Sequence, residues 1–96
     1  MNNITGEVTL EQLLALNLDE VQYYLNTLQH LDNSSLESVE RFYRETQGIL
    51  LLIALVDEFL VNSFLQNNIE ARAHLRRLRF ILYTNHQSRL QLLASL

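Results

Sequence analysis

The sequence predicts an all-α fold: a small antiparallel helical bundle of three to five helices with one long central apolar helix. Three observations carry this. Leucine occurs 22 times in 96 residues, against five each of isoleucine, valine and threonine, and leucine favours helix where β-branched side chains do not. Proline is absent and the only glycines are Gly6 and Gly48, too few turn formers for a β-rich fold of this length. The stretch from Ser34 to Gln66 reads as one helix whose second half is apolar on nearly every side. Ile49-Leu50-Leu51-Leu52-Ile53-Ala54-Leu55-Val56 is an unbroken apolar run of eight, followed by Phe59, Leu60, Val61, Phe64 and Leu65. A helix that is apolar all round must be covered all round. In a chain this short few other elements can do that, which points to a partner chain.

Residues 1–8 read as a flexible lead-in and residues 9–96 as a single helical domain. Thr9-Leu10-Glu11-Gln12 matches a capping box, in which the threonine hydroxyl accepts from a free backbone N–H and Gln12 reaches back. A short helix with Leu10, Leu13 and Leu14 should follow. Asn17-Leu18-Asp19-Glu20 is a second start signal, its acids suited to a helix N-terminus. That helix should run to about Leu31, with Val21, Tyr24 or Leu25, Leu28 and Leu31 on one face. Nothing at Asn17 forces a break, so the first two segments are also compatible with one rod.

Asp32-Asn33-Ser34-Ser35 is the clearest loop, and Ser34 with Glu37 makes a third capping box. The long helix opens with solvated pairs four residues apart: Glu37–Arg41, Glu40–Arg44 and Arg41–Glu45. Each contributes only about 0.2–0.5 kcal/mol. Leu36, Val39, Phe42, Tyr43 and Thr46 supply the inward side. Gly48, mid-helix, costs about 1 kcal/mol relative to alanine and is read as a point of close helix approach rather than a bend. Gln66-Asn67-Asn68 is the next turn, with Asn67 and Glu70 as cap and third residue. The last helix should run from Ile69 to at least Tyr83. Ile69, Ala73, Phe80 and Tyr83 form one stripe on it, and Ala71, Leu75, Leu78 and Leu82 form another. Thr84-Asn85-His86-Gln87 is either a break or a polar turn within one helix. Connections this short favour antiparallel neighbours.

The net charge of −4 hides an asymmetry. Residues 1–58 carry ten acids and two arginines, whereas residues 59–96 carry one acid, Glu70, and five arginines. Arg72, Arg76 and Arg79 recur at helical spacing with Arg77 beside them, and form the candidate charged contact surface. The acidic total, the absence of lysine and the lack of a reading motif argue against nucleic acid. Contact with the acidic first half, within the chain or across a dimer, is favoured. Cysteine is absent, which removes disulfides and thiolate chemistry. The first residues have neither the basic start nor the apolar stretch of a signal peptide. The longest apolar run, eight residues, is far below the roughly 20 that a membrane span needs. No membrane association and a cytoplasmic location are therefore expected.

No constellation for catalysis stands out. His30, His74 and His86 do not combine into a three- or four-ligand metal set. No glycine-rich loop exists to cradle a phosphate. The serines have ordinary places as caps or surface residues. Asp57 and Glu58 sit in the apolar stretch, but helical neighbours point about 100° apart and do not share one site. Neither enzyme activity, nor a cofactor, nor a metal is expected. Tyr23 and Tyr24 cannot both face the same core, so one is a candidate exposed contact residue. Thr9-Leu10-Glu11-Gln12 followed by Tyr43-Arg44-Glu45 resembles the small helical phycobilisome-degradation proteins of cyanobacteria. The likeness covers those residues and breaks off between them, so no residue role is carried over.

The expected function is that of a non-enzymatic protein–protein interaction module, a small adaptor, inhibitor or regulatory subunit acting as a homodimer. Leu52, Val56, Phe59, Phe64, Leu90 and Leu93 are the expected partner or dimer interface. Two alternatives use the same chain differently: a nucleic-acid-associated regulator using the arginine stripe, and an assembly chaperone or scaffold holding a partner helix in an apolar groove.

Overall fold

Three of the described helices begin where a side chain takes over free backbone N–H groups. The computed structural model of the chain describes residues 8–29, 36–62 and 65–94. Among these residues the chain forms four α-helices: α1 (Leu10–Leu14), α2 (Leu18–Gln29), α3 (Leu36–Leu60) and α4 (Ile69–Ala94). Thr9 caps α1 with the complete capping box: its hydroxyl accepts from the Gln12 N–H, and the Thr9 N–H donates to the Gln12 side chain. Asn17 caps α2, its side-chain oxygen accepting from Asp19 and Glu20. That cap settles α1 and α2 as two helices rather than one rod. The cap of α4 is Asn68, whose side chain accepts from the Ala71 N–H, one residue later than the sequence reading placed it. The expected loop at residues 32–35 and the Ser34 cap lie outside the described residues.

Three contacts fix the topology. The Tyr24 hydroxyl donates to Glu45 across α2 and α3, Arg89 donates to the Leu25 carbonyl across α4 and α2, and Arg79 pairs with Asp57 across α4 and α3. Together with His74 on the Leu13 carbonyl, they set the α1–α2 segment advancing in the same direction as α4 and α3 running against it. Helices α1, α2 and α3 all pack on α4, so α4 is the central helix. The bundle extends 48 × 22 × 20 Å, and the 26 residues of α4 span about 39 Å at about 1.5 Å per residue.

This revises the expectation of a long apolar helix at the centre and covered on all sides. Helix α3 is long, but it is two-faced. Ile49, Leu52, Ile53 and Val56 are buried, whereas Leu50, Leu51 and Ala54 are exposed. The reason is the number of neighbours: α4 and the shorter α2 lie on one side of α3, and no described element lies on the other. Leu13, Leu25, Leu28, Leu65, Ala71, Leu75, Leu78 and Leu82 complete the core with them. Tyr43, expected to point inward, is exposed, while Thr46 is buried. Helix α3 passes through Gly48 without a break. Among the described residues no helix is long and apolar enough to cross a membrane.

Candidate functional site

Helix α4 carries two rows of side chains on opposite sides. Ala71, Leu75, Leu78 and Leu82 are buried, and the same alternation of four- and three-residue steps continues through Asn85 and Arg89, also buried. This is a heptad stripe, the spacing that keeps one helix face on a neighbour. The helix does not break at Thr84–Gln87. The second row, Ile69, Ala73, Phe80, Tyr83 and Leu90, points to solvent, with Phe80 70% exposed. Its members recur at the same spacing, yet no described part of the chain covers them.

The α3–α4 seam gathers more of this exposed apolar surface. Arg79 Nε lies 2.5 Å from Asp57 Oδ1, with both side chains a little under half exposed, so this pair marks the outer edge of the seam. Arg79 also sits over the Tyr83 ring, 5.4 Å from its centroid. Two turns earlier on α4, Arg72 donates to the Leu60 carbonyl, one of the free carbonyls that end α3. At about 100° per residue, Tyr43, Leu50, Ala54 and Val61 fall within about 60° of Asp57, and Arg76, Tyr83 and Leu90 within about 60° of Arg79. All seven are exposed. The two rows therefore flank the ion pair and make one face, completed by Phe80 at its rim.

Beneath one end of this face lies a polar layer. Thr46, Asn85, His86 and Arg89 are all buried. Arg89 is the largest fully buried side chain, and one of its guanidinium nitrogens donates to the Leu25 carbonyl at 2.8 Å. Burial lowers its pKa, and nearby Tyr24 and Glu45 partly offset that. Burial, together with the hydrogen bond to Glu45 and that group's negative charge, pushes the Tyr24 hydroxyl up to about 12. His86 lies one heptad beyond Arg79. Its Nδ1 has no hydrogen-bond partner among the described residues, and burial followed by the charge of Arg89 lowers its pKa. The layer therefore holds a guanidinium and an imidazole that resists protonation inside the bundle.

No family model, no curated protein and no solved structure matches this chain. The geometry stands alone as the basis for a functional reading.

The residues singled out in the sequence divide accordingly. Leu52 and Val56 fill the chain's own core, and Phe59 packs against it half-buried, so these three point inward in the single chain. Leu90 is on the open face. Phe64 and the Leu93 side chain lie outside the described residues. Of the four arginines, Arg72 and Arg79 are engaged with the end of α3, and Arg76 and Arg77 are exposed. His74 donates from Nε2 to the Leu13 carbonyl, which ties α1 onto α4. Among the described residues no group of three acids or histidines is placed to hold a metal. Tyr23 and Tyr24 are both exposed, Tyr23 the more so, because Tyr24 leans onto Glu45. Sequence reasoning missed the buried Asn85, His86 and Arg89. Extending the Ala71–Leu82 heptad by one more repeat would have found Asn85 and Arg89.

Proposed function

We propose that this chain is a non-enzymatic protein–protein interaction module whose docking surface is the apolar face across the α3–α4 seam. One observation carries the reading: two rows at heptad spacing, on adjacent helices, lie open side by side. Tyr43, Leu50, Val61, Phe80, Tyr83 and Leu90 are between 40% and 81% exposed. Taking large side chains to present on the order of 150–250 Å² each, they leave on the order of 600 Å² open, near the roughly 800 Å² per partner of a standard interface. A contiguous apolar patch beyond a few hundred Å² marks an interaction site.

The arginine-stripe reading has less support, because Arg72 and Arg79 are engaged with α3, which leaves Arg76 and Arg77 as the two fully exposed members of the four. The chaperone reading uses the same face and differs in the occupant. Sedimentation velocity tests the choice of face. Phe80→Glu and Leu50→Glu should each abolish association, while Tyr23→Glu, on α2 and away from the seam, should leave it intact. Equal loss with Tyr23→Glu, or none with Phe80→Glu, counts against the proposal.

A further inference from the structure

We infer that the occupant of the α3–α4 face is a second copy of this chain, related by a twofold axis running along the bundle, with Arg76 of each copy set against Glu58 of the other. The inference rests on the docking reading above and adds the partner and its register. Its basis is that the face is complementary to itself in charge as well as apolar.

The two helices contribute opposite charges to its rims. On α3, Glu58 is exposed beyond the Leu50–Ala54 row, as is Glu40 one turn from the exposed Arg44; on α4, Arg76 is exposed beyond the Tyr83–Leu90 row. At helical spacing both glutamates fall about 100° from Asp57, on the outward side, on one line with each other. The chain as a whole is acidic, so an exposed arginine beside an apolar row selects an acidic surface. The α3 rim of a second copy is such a surface, already flanked by apolar side chains of matching spacing.

The register follows from the contacts across the seam. Arg79 reaches Asp57 and Arg72 reaches the Leu60 carbonyl, α3 and α4 run antiparallel, and either contact taken as level sets the register. Glu58 and Arg76 are then offset by two residues, about 3 Å along the axis. A twofold axis parallel to the helices preserves level while exchanging the two rims. It lays α3 of one copy over α4 of the other, and each Arg76 within side-chain reach of the opposite Glu58. The contact is isologous, so the pair occurs twice and the assembly closes at two copies. The Asp57–Arg79 pairs lie near the axis and the apolar rows surround them.

Sedimentation equilibrium with reversed charges tests this at low salt, where exposed pairs are least screened. Arg76→Glu alone sets two glutamates against each other twice, and Glu58→Arg alone sets two arginines against each other twice. Each should weaken dimerisation at least about tenfold. An equimolar mixture of the two variants restores both pairs and should recover wild-type affinity as a heterodimer. Arg76→Gln and Glu58→Gln remove attraction without adding repulsion and should cost about two- to fivefold each. Both positions are exposed, so circular dichroism should be unchanged. The inference is overturned if the wild type is monomeric throughout, if either reversal dimerises as the wild type does, or if mixing recovers nothing. Failure of the docking reading looks different: there, Phe80→Glu leaves association unaltered.

Discussion

Arg89 offers the sharpest test of how the bundle holds its polar end. The side chain is fully buried at a heptad position that Leu75, Leu78 and Leu82 occupy further up the same stripe. Replacement by alanine removes two stem methylenes, about 0.8 kcal/mol each, and a charge-assisted bond to the Leu25 carbonyl that contributes about 1.5–3 kcal/mol. Relief of the cost of burying a guanidinium offsets part of this. Arg89→Ala should therefore destabilise by roughly 2–4 kcal/mol, with the residual cavity at the upper end. Methionine refills the volume and leaves no buried charge, so Arg89→Met should fall within about 1 kcal/mol of wild type in either direction. Glu45 is only half-buried, so losing Arg89 does not strand a carboxylate in the core. Urea unfolding followed by circular dichroism at neutral pH reads both values. A methionine variant as unstable as the alanine variant would refute the reasoning, since packing would then not be what the stem supplies.

Three further outcomes follow from the same geometry. Leu78→Ala, in the buried row of α4, should cost roughly 2–5 kcal/mol, whereas Phe80→Ala, two residues on, should change the stability of the monomer by less than about 0.5 kcal/mol; thermal melts at low protein concentration compare them. His86 holds its proton less readily in the folded chain than at its ordinary 6.5, beside Arg89 on α4 and with Glu45 and Tyr24 across the layer. The unfolded chain therefore takes up a proton that the folded chain resists as pH falls below 6.5. Stability should drop over that window and be unaffected by this group above it, and His86→Gln should flatten the drop relative to wild type in denaturant titrations at several pH values. Asp57→Asn should cost less than about 1 kcal/mol, because the pair with Arg79 is nearly half exposed on both sides and such pairs are worth little in water; a larger loss in chemical unfolding would show the seam to be tighter than this.

The helix starts were legible because capping chemistry is local. Thr9 with Gln12 and Asn17 with Asp19 announce themselves within four residues, and the structure uses both. Which side of α3 faces inward was not legible. A run of eight apolar residues has no period, so nothing in it distinguishes Ile53, which is buried, from Leu50 and Leu51, which are not. That distinction comes from where α4 lies, which is a tertiary fact. The end of α4 shows the reverse case. The heptad spacing was present through Arg89, but Asn85 and His86 read as a break or a polar turn, and Leu90 as an interface residue. Packing overrides the first: the helix runs on and Asn85, His86 and Arg89 are buried, while Leu90 is on the surface. The expected interface named Leu52 and Val56, which the single chain buries in its own core, and gave the Phe80 row on the opposite side of α4 no role.

The chain contains no cysteine, so a single introduced thiol reports on one position. Ala54→Cys places it on the open face with little change in bulk, and Tyr23→Cys serves as the reference on α2. Alkylation rates measured over a protein dilution series test directly whether the α3–α4 face is where the chain makes contact. The account predicts that the thiol at position 54 reacts freely in dilute solution and becomes protected as concentration rises, while the thiol at position 23 reacts at one rate throughout. A thiol at position 54 that stays equally reactive across the whole series would contradict it.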